Sequence, residues 1–195
     1  MISGLAELRF VIVARRNKTY DVFDVSMQSP LVSTDQMAGL LNTLAQTPRS
    51  SKHDIITVRK SVAYDDDQLL AILNALAVLG FAGTFDGTVE LTRVGQHYAR
   101  APPHERRLIF AVQLMQLPSV KLIQGMIASH LGHQVHGAEI VTELGHRYPT
   151  VDVERRLRQV VEWGRYAGVL FYDERSDLIS LHTPPSDRAY FPIQN

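Results

Sequence analysis

Apolar residues recur at helical spacing between positions 67 and 81, and a clear stop signal follows them. The stripe consists of Leu69, Ile72, Leu73, Leu76 and Leu79. Residues spaced in this way share one face of a helix, so the segment is predicted to bury that face in a core. Gly80 is typical of a helix end, and Asp86-Gly87 is a strong signal for a two-residue hairpin turn. A helix followed by a two-stranded wing predicts a winged-helix domain.

The same layout returns about ninety residues later in the chain. A second apolar stripe consists of Val153, Leu157, Val160 and Val161. Thr150 is the predicted N-cap of this helix, and Gly168 marks its end. Residues 169–172 and 178–181 read as two strands joined by a polar turn. Because the repeat is much longer than that of a solenoid, the pattern predicts two small domains in tandem.

The chain divides into four predicted segments. Residues 1–30 contain two β-prone runs, 8–13 and 19–25, and are expected to form an N-terminal β-hairpin. Winged-helix domains are predicted over 31–103 and 104–182, followed by a tail over 183–195. The predicted fold class is therefore α+β and mainly helical.

Several further helices are indicated by caps and by apolar spacing. Ser33 and Gln36 have the spacing of a capping box, and a short helix or turn is expected around residues 54–58. After Pro102-Pro103, a helix is predicted that contains four apolar residues, Leu108, Ile109, Val112 and Met115.

Composition narrows the class of protein. The 195 residues contain 20 Lys and Arg against 20 Asp and Glu, so no global charge attracts nucleic acid or an acidic membrane. Cysteine is absent, which excludes disulfides, thiol nucleophiles and cysteine-ligated zinc. Apolar stretches are too short for membrane insertion and the start does not resemble a signal peptide, so a cytoplasmic protein is expected.

Three stretches of the sequence resemble a known family. They are residues 76–82 (LAVLGFA), 89–96 (VELTRVGQ) and 161–168 (VEWGRYAG), the last followed by Phe171-Tyr172-Asp173. The chain is similar here to the AAA-associated C-terminal domain, the module appended to ATPase subunits of nitrate/sulfonate/taurine-type ABC transporters. The resemblance covers roughly residues 31–181. It implies a regulatory or interaction role and brings no catalytic residues.

The sequence departs from such ATPase subunits in one respect. No Gly-x-x-x-x-Gly-Lys-Ser/Thr loop occurs, and residues 1–30 do not look like cassette sequence. The expectation is a free-standing accessory module: no enzyme, no cofactor, and a protein partner, either a second copy or an ABC transporter component. Homodimerisation is expected because a lone two-stranded hairpin is marginally stable.

Four histidines form the one cluster with metal-binding spacing. His130, His133 and His136 are spaced three apart, and His146 follows. Imidazoles at this spacing can converge on zinc or nickel if the backbone is helical through all three. Gly132 interrupts such a helix, which favours surface histidines of a loop. A metal-responsive sensor is the third functional hypothesis.

The main alternative function is that of a transcription regulator, because winged helices often bind DNA through the helix before the wing. In the first copy that helix begins with three aspartates, which phosphates would repel. In the second copy the candidate contacts are Arg155, Arg156 and Arg158, interleaved with carboxylates. A solvated, salt-bridged helix face is the competing interpretation.

Aromatic residues give the remaining candidates. Trp163, Tyr166, Phe171 and Tyr172 could be taken for a ligand box, but aromatics beside a wing more often belong to a core, an expectation that is stronger for Trp163 than for Tyr172. In the tail, Tyr190, Phe191 and Ile193 follow a proline-rich linker and are candidate contacts for a partner or for the body of the protein.

Overall fold

The computed structural model describes residues 21–24, 30–46 and 52–181. This part of the chain contains eight α-helices, six strands and one 3-10 helix at Val22–Asp24. The helices are α1 Thr34–Ala45, α2 Ile55–Ser61, α3 Asp66–Val78, α4 Arg93–Arg100, α5 Pro103–Leu114, α6 Pro118–Ser129, α7 Gly137–Arg147 and α8 Val153–Ala167. The strands are β1 Lys52–Asp54, β2 Ala82–Phe85, β3 Thr88–Leu91, β4 Gln134–His136, β5 Leu170–Asp173 and β6 Leu178–Leu181.

Most helices start where side-chain caps are available. The predicted capping box at Ser33 is confirmed, since its hydroxyl accepts from the Gln36 amide while the Gln36 side chain accepts from the Ser33 amide. Asp65 caps α3. The predicted cap at Thr150 is wrong. The N-cap of α8 is Asp152, two residues further along, whose carboxylate accepts from the Arg155 amide. A carboxylate at this position also interacts favourably with the helix dipole.

The first unit consists of three helices and a three-stranded sheet. Its order is α1, β1, α2, α3, β2, β3, and β3 lies between β1 and β2 with antiparallel pairing. The predicted hairpin turn is confirmed, with φ of 49° at Asp86 and 71° at Gly87. Two positive φ values in succession define the turn that matches strand twist.

The second unit repeats this order as α6, β4, α7, α8, β5, β6, again with β6 in the middle of an antiparallel sheet. Equivalent hydrogen bonds join the turn of each β-hairpin to the first residue of α2 or α7. The Ile55 amide donates to the Gly87 carbonyl, and the Gly137 amide donates to the Asp177 carbonyl. The mainly helical α+β class is thereby confirmed. Helix–strand–helix–helix–strand–strand is also the order of a winged helix, which remains our interpretation of each unit.

One continuous core of buried side chains runs through both units. Glycines allow the closest approaches in this core: a Cβ at Gly95 would collide with the Phe81 carbonyl, and one at Gly164 would collide with the Leu170 side chain. The predicted boundary between residues 103 and 104 therefore lies inside this shared core. The division into two separate domains stays a prediction.

The predicted N-terminal hairpin lies mostly outside the described residues, and the part that is described is not a strand. Val22–Asp24 form a 3-10 helix with Val22 and Phe23 buried. The Asp21 carboxylate accepts from the Phe23 amide at 3.4 Å, a local bond of the kind that turns the chain. This contact and burial of Phe23 outweigh the β propensity of the segment.

Candidate functional site

Five aromatic side chains join the two units through α5. Phe110 of α5 is fully buried, and its ring centroid lies 5.9 Å from that of Phe81 in the first unit. The same ring lies 5.2 Å from Tyr166 and 6.1 Å from Trp163 in the second unit, both edge-on. Tyr98 of α4 completes the cluster at 4.9 Å from Phe81. Such geometries are favourable for aromatic pairs, so the units are held by packing as well as by the chain.

A hydrogen bond between two phenols crosses the same contact. The hydroxyls of Tyr98 and Tyr166 lie 3.1 Å apart. Burial, followed by this hydrogen bond, raises the pKa of Tyr98 and keeps the phenol neutral. The Arg106 guanidinium lies over the Tyr98 ring and donates to the carbonyls of Ala99 and Ala101. This arginine satisfies the carbonyl end of α4 and fixes the corner between α4 and α5.

The segment before α1 is bonded to the second unit. The Val32 carbonyl accepts from the Trp163 indole at 2.8 Å and from the Gln159 side chain at 3.2 Å. Trp163 is fully buried, as expected. A residue next to α1 therefore satisfies the polar atoms of α8, which makes the segment part of the contact between units.

A buried carboxylate makes a second such connection. Asp21 is 1% exposed, and it accepts from the Ser119 amide and from the Ser119 hydroxyl at 2.6 Å. The Tyr148 hydroxyl donates to it at 3.3 Å. Ser119 lies in the first turn of α6, where a negative charge is stabilised by unpaired amides and by the helix dipole. Buried charge is acceptable here because it is fully hydrogen-bonded.

The helices that precede the two β-hairpins, α3 and α8, each turn one face toward the interior of the protein. One small cavity is lined by Ala71 and Ala75 of α3 and by Gln159 and Trp163 of α8, with Val32 between them. Eight of the fifteen residues of α8 are buried. A winged helix that reads DNA must expose this helix to the major groove. Beyond its first turn α3 has no exposed residue, whereas α8 keeps one exposed face that includes Arg158.

The three candidate DNA-contacting arginines do not form one surface. Arg158 is exposed and Arg155 is half-buried, but Arg156 is 3% exposed and its guanidinium donates to Gln159 at 3.1 Å. Burial, with the nearby Arg155 charge, lowers the pKa of Arg156. Arg156 is therefore not at the surface for the nucleic-acid contact expected of it, because α8 has a second buried face that packs on the segment before α1.

The histidine trio does not converge. His130 ends α6, His133 lies in a turn with φ of 52°, and His136 lies in β4 beside α7. In the described ranges no three His, Asp or Glu side chains are grouped so as to hold a metal ion. His130 Nδ1 faces the Met126 carbonyl at 2.8 Å and Nε2 faces Glu139 at 3.0 Å. Both contacts favour the protonated ring, the Met126 bond most, and they raise the pKa of His130.

The helix α5 buries a face other than the one that its apolar spacing indicates, and of the four predicted apolar residues only Ile109 and Met115 pack, partly buried, against the core. Phe110 and Leu114 are fully buried, whereas Leu108 is 51% exposed and Val112 is 43% exposed. Sequence reasoning missed this exposed stripe because α5 is apolar on both faces, so periodicity cannot choose between them.

The other aromatic candidates separate in the structure. Phe171 is 61% exposed on the outer face of its sheet, so the expectation of a core position is wrong for this residue. Phe171 and the buried Leu170 are neighbours on β5, so their side chains lie on opposite faces of the sheet. Tyr172 is half-buried and donates to Asp177 at 3.0 Å, which raises the pKa of the Tyr172 phenol. Tyr190, Phe191 and Ile193 lie outside the described residues.

None of the described helices is by itself long and apolar enough to cross a membrane; α5 and α6 reach that length and composition only as a pair, which is bent by 85° at the break.

Comparison with known proteins identifies the family and nothing more specific. Residues 56–173 match the family described as C-terminal AAA-associated domain. Searches of curated proteins and of solved structures give no match. The matched region starts in α2 and ends with β5, so it includes the β2–β3 hairpin and the whole aromatic contact but not α1, β1 or β6. Because this match covers more than half of its length, the chain belongs to the C-terminal AAA-associated domain family.

Proposed function

We propose that this protein is a non-catalytic regulatory module that binds the ATPase subunit of an ABC import system of the nitrate/sulfonate/taurine type. The observation that carries the proposal is the family match, which covers residues 56–173 and with them the aromatic contact between the two units. The family is one of accessory modules of ABC-type ATPases. The 195 residues contain no phosphate-binding loop, so ATP chemistry has to come from outside them.

The packing of the two units supports a binding role. Phe110, the Tyr98–Tyr166 hydrogen bond and the Val32 carbonyl hold the units in one arrangement. A rigid body presents a surface without an ordering cost on binding, which favours its use as an interaction module.

The DNA-binding alternative receives less support from the same features. The wing-adjacent helices line a shared cavity, and Arg156 is buried. In the first unit, the N-terminus of α3 presents Asp65 and Asp67 to solvent. Carboxylates there are repelled by a phosphate backbone.

The experiment is a co-purification with individually produced ABC ATPase subunits of the organism that encodes this chain. A tagged chain is expected to retain at least one such subunit and to change its rate of ATP hydrolysis. The matched control is the same subunit with the tag alone. Failure to retain any ATPase subunit, with the chain folded, would contradict the proposal.

A further inference from the structure

The outward face of α5 is apolar on two successive turns. Leu108 and Val112 are four residues apart and lie one above the other, 51% and 43% exposed. The opposite face carries Phe110 and Leu114, both fully buried. A helix that is apolar on all sides is normally covered on all sides. In the described part of this chain, nothing covers the outward face.

Other exposed large apolar side chains are isolated from one another along the chain. In the ranges 21–24, 30–46 and 52–181 they are Ile56 of α2, Phe85 of β2, Leu131 after α6 and Phe171 of β5. Single apolar residues at a surface are ordinary. Leu108 and Val112 lie on adjacent turns of one helix, so they form a stripe of the kind that packs against a second helix.

Positive charge borders this stripe. Arg107 precedes Leu108 directly and is exposed, with its guanidinium over the Tyr166 ring. The single carboxylate of α5, Glu105, is 2.8 Å from the ring of His97. The charge that Arg107 places beside the stripe is cationic, and a second copy of the chain would bring the same cation against it.

We propose that the outward face of α5, formed by Leu108 and Val112 with Arg107 beside them, binds an amphipathic helix of a partner protein that carries Asp or Glu along its apolar stripe. Two helices pack through ridges and grooves of such side chains. The carboxylates pair with Arg107, and aliphatic side chains cover the apolar stripe. This inference rests on the proposed function and adds the surface and the chemistry of the partner.

The experiment is photo-crosslinking of the full chain in the organism that encodes it. The photoreactive p-benzoylphenylalanine replaces Leu108 in one variant and the exposed Phe85 or Phe171 in two controls. Crosslinked peptides are identified by mass spectrometry. We expect position 108 to yield an adduct with an acidic amphipathic helix of another protein, at least about tenfold more abundant than adducts of the controls, as for a central interface residue.

Charge reversal tests the electrostatic part. Arg107→Glu in the Leu108 variant is expected to reduce the adduct about tenfold, whereas Arg107→Lys retains it and Arg175→Glu, in the second wing turn, leaves it unchanged. Circular dichroism and urea midpoints establish that each variant is folded. An undiminished adduct in the folded Arg107→Glu variant would overturn the proposal.

The identity of the adduct separates the two proposals. An adduct on an acidic helix of an ATPase subunit supports both, and one on an acidic helix of any other protein supports the surface but contradicts the proposed function. No adduct at position 108, an adduct with a second copy or with the chain's own tail, or an adduct on a neutral or basic segment overturns the surface. If one of these outcomes is found and an ATPase subunit still co-purifies with the chain, the proposed function stands and only the α5 surface is overturned.

Discussion

Replacing Phe110 by alanine removes the side chain that contacts both units. The ring is fully buried and has four aromatic neighbours, with centroids between 5.2 and 6.5 Å away. Burial on this scale makes the substitution a test of whether the two units fold as one body. If they were independent, one unit would lose stability and the other would not.

The expected cost follows from the removed surface and the cavity that remains. Truncation of a buried Phe to Ala costs about 3–5 kcal/mol in general. Aromatic pairs add about 0.5–1.5 kcal/mol each beyond burial, although neighbouring pairs are not additive. We expect about 4–5 kcal/mol, a large part of the roughly 5–15 kcal/mol by which such proteins are stable. The matched control, Phe171→Ala, removes a ring that is 61% exposed and is expected to cost less than about 1 kcal/mol.

Urea unfolding, followed with two probes, measures the loss of stability in Phe110→Ala and in Phe171→Ala. Trp163 is the single tryptophan and lies in the second unit, so its fluorescence reports that unit, while far-ultraviolet circular dichroism reports all helices. The two probes should give one coincident transition in the wild type, and both should shift together in Phe110→Ala. A cost below about 1.5 kcal/mol, or separate transitions in the wild type, would refute the shared core.

Three other outcomes are expected. Asp177→Ala removes the carboxylate that accepts from the first turn of α7, which has no cap of its own, and should lower the free energy of unfolding by about 1 kcal/mol; an unchanged urea midpoint would contradict this. In an NMR titration the pKa of His130 should lie above about 6.5 and fall in Glu139→Gln, so its stabilising contribution is present at low pH and lost as pH rises through the folded-state pKa. Mobility-shift assays at low salt should show no discrete DNA complex, and an Arg158-dependent complex would support the regulator alternative.

Local signals in the sequence were sufficient for the elements whose causes are local. The Ser33 capping box and the Asp86-Gly87 turn depend on residues within a few positions of each other, and both are present as predicted. The hairpins β2–β3 and β5–β6 were likewise predicted from residues close together in the sequence. The two strands β1 and β4 were missed because each has only three residues and pairs with a strand far along the chain.

Features caused by distant contacts could not be predicted in this way. The position of Asp21 is fixed by Ser119, 98 residues away, whose hydroxyl donates to the carboxylate. Arg156 is buried because α8 has a second face that packs against the segment containing Val32. The orientation of α5 depends on which of its two apolar faces meets Phe81 and Trp163. Periodicity within a helix contains no information on such contacts.

The most direct test of an accessory module is the affinity of this chain for an ABC ATPase subunit, measured by titration calorimetry. Our account predicts a one-to-one complex with a Kd of roughly 10 μM or tighter for at least one subunit of the same organism. Leu108→Asp should weaken that complex at least about tenfold, while Phe171→Asp, on the outer face of the second sheet, leaves it unchanged. Absence of heat exchange with every ATPase subunit of that organism would contradict the account.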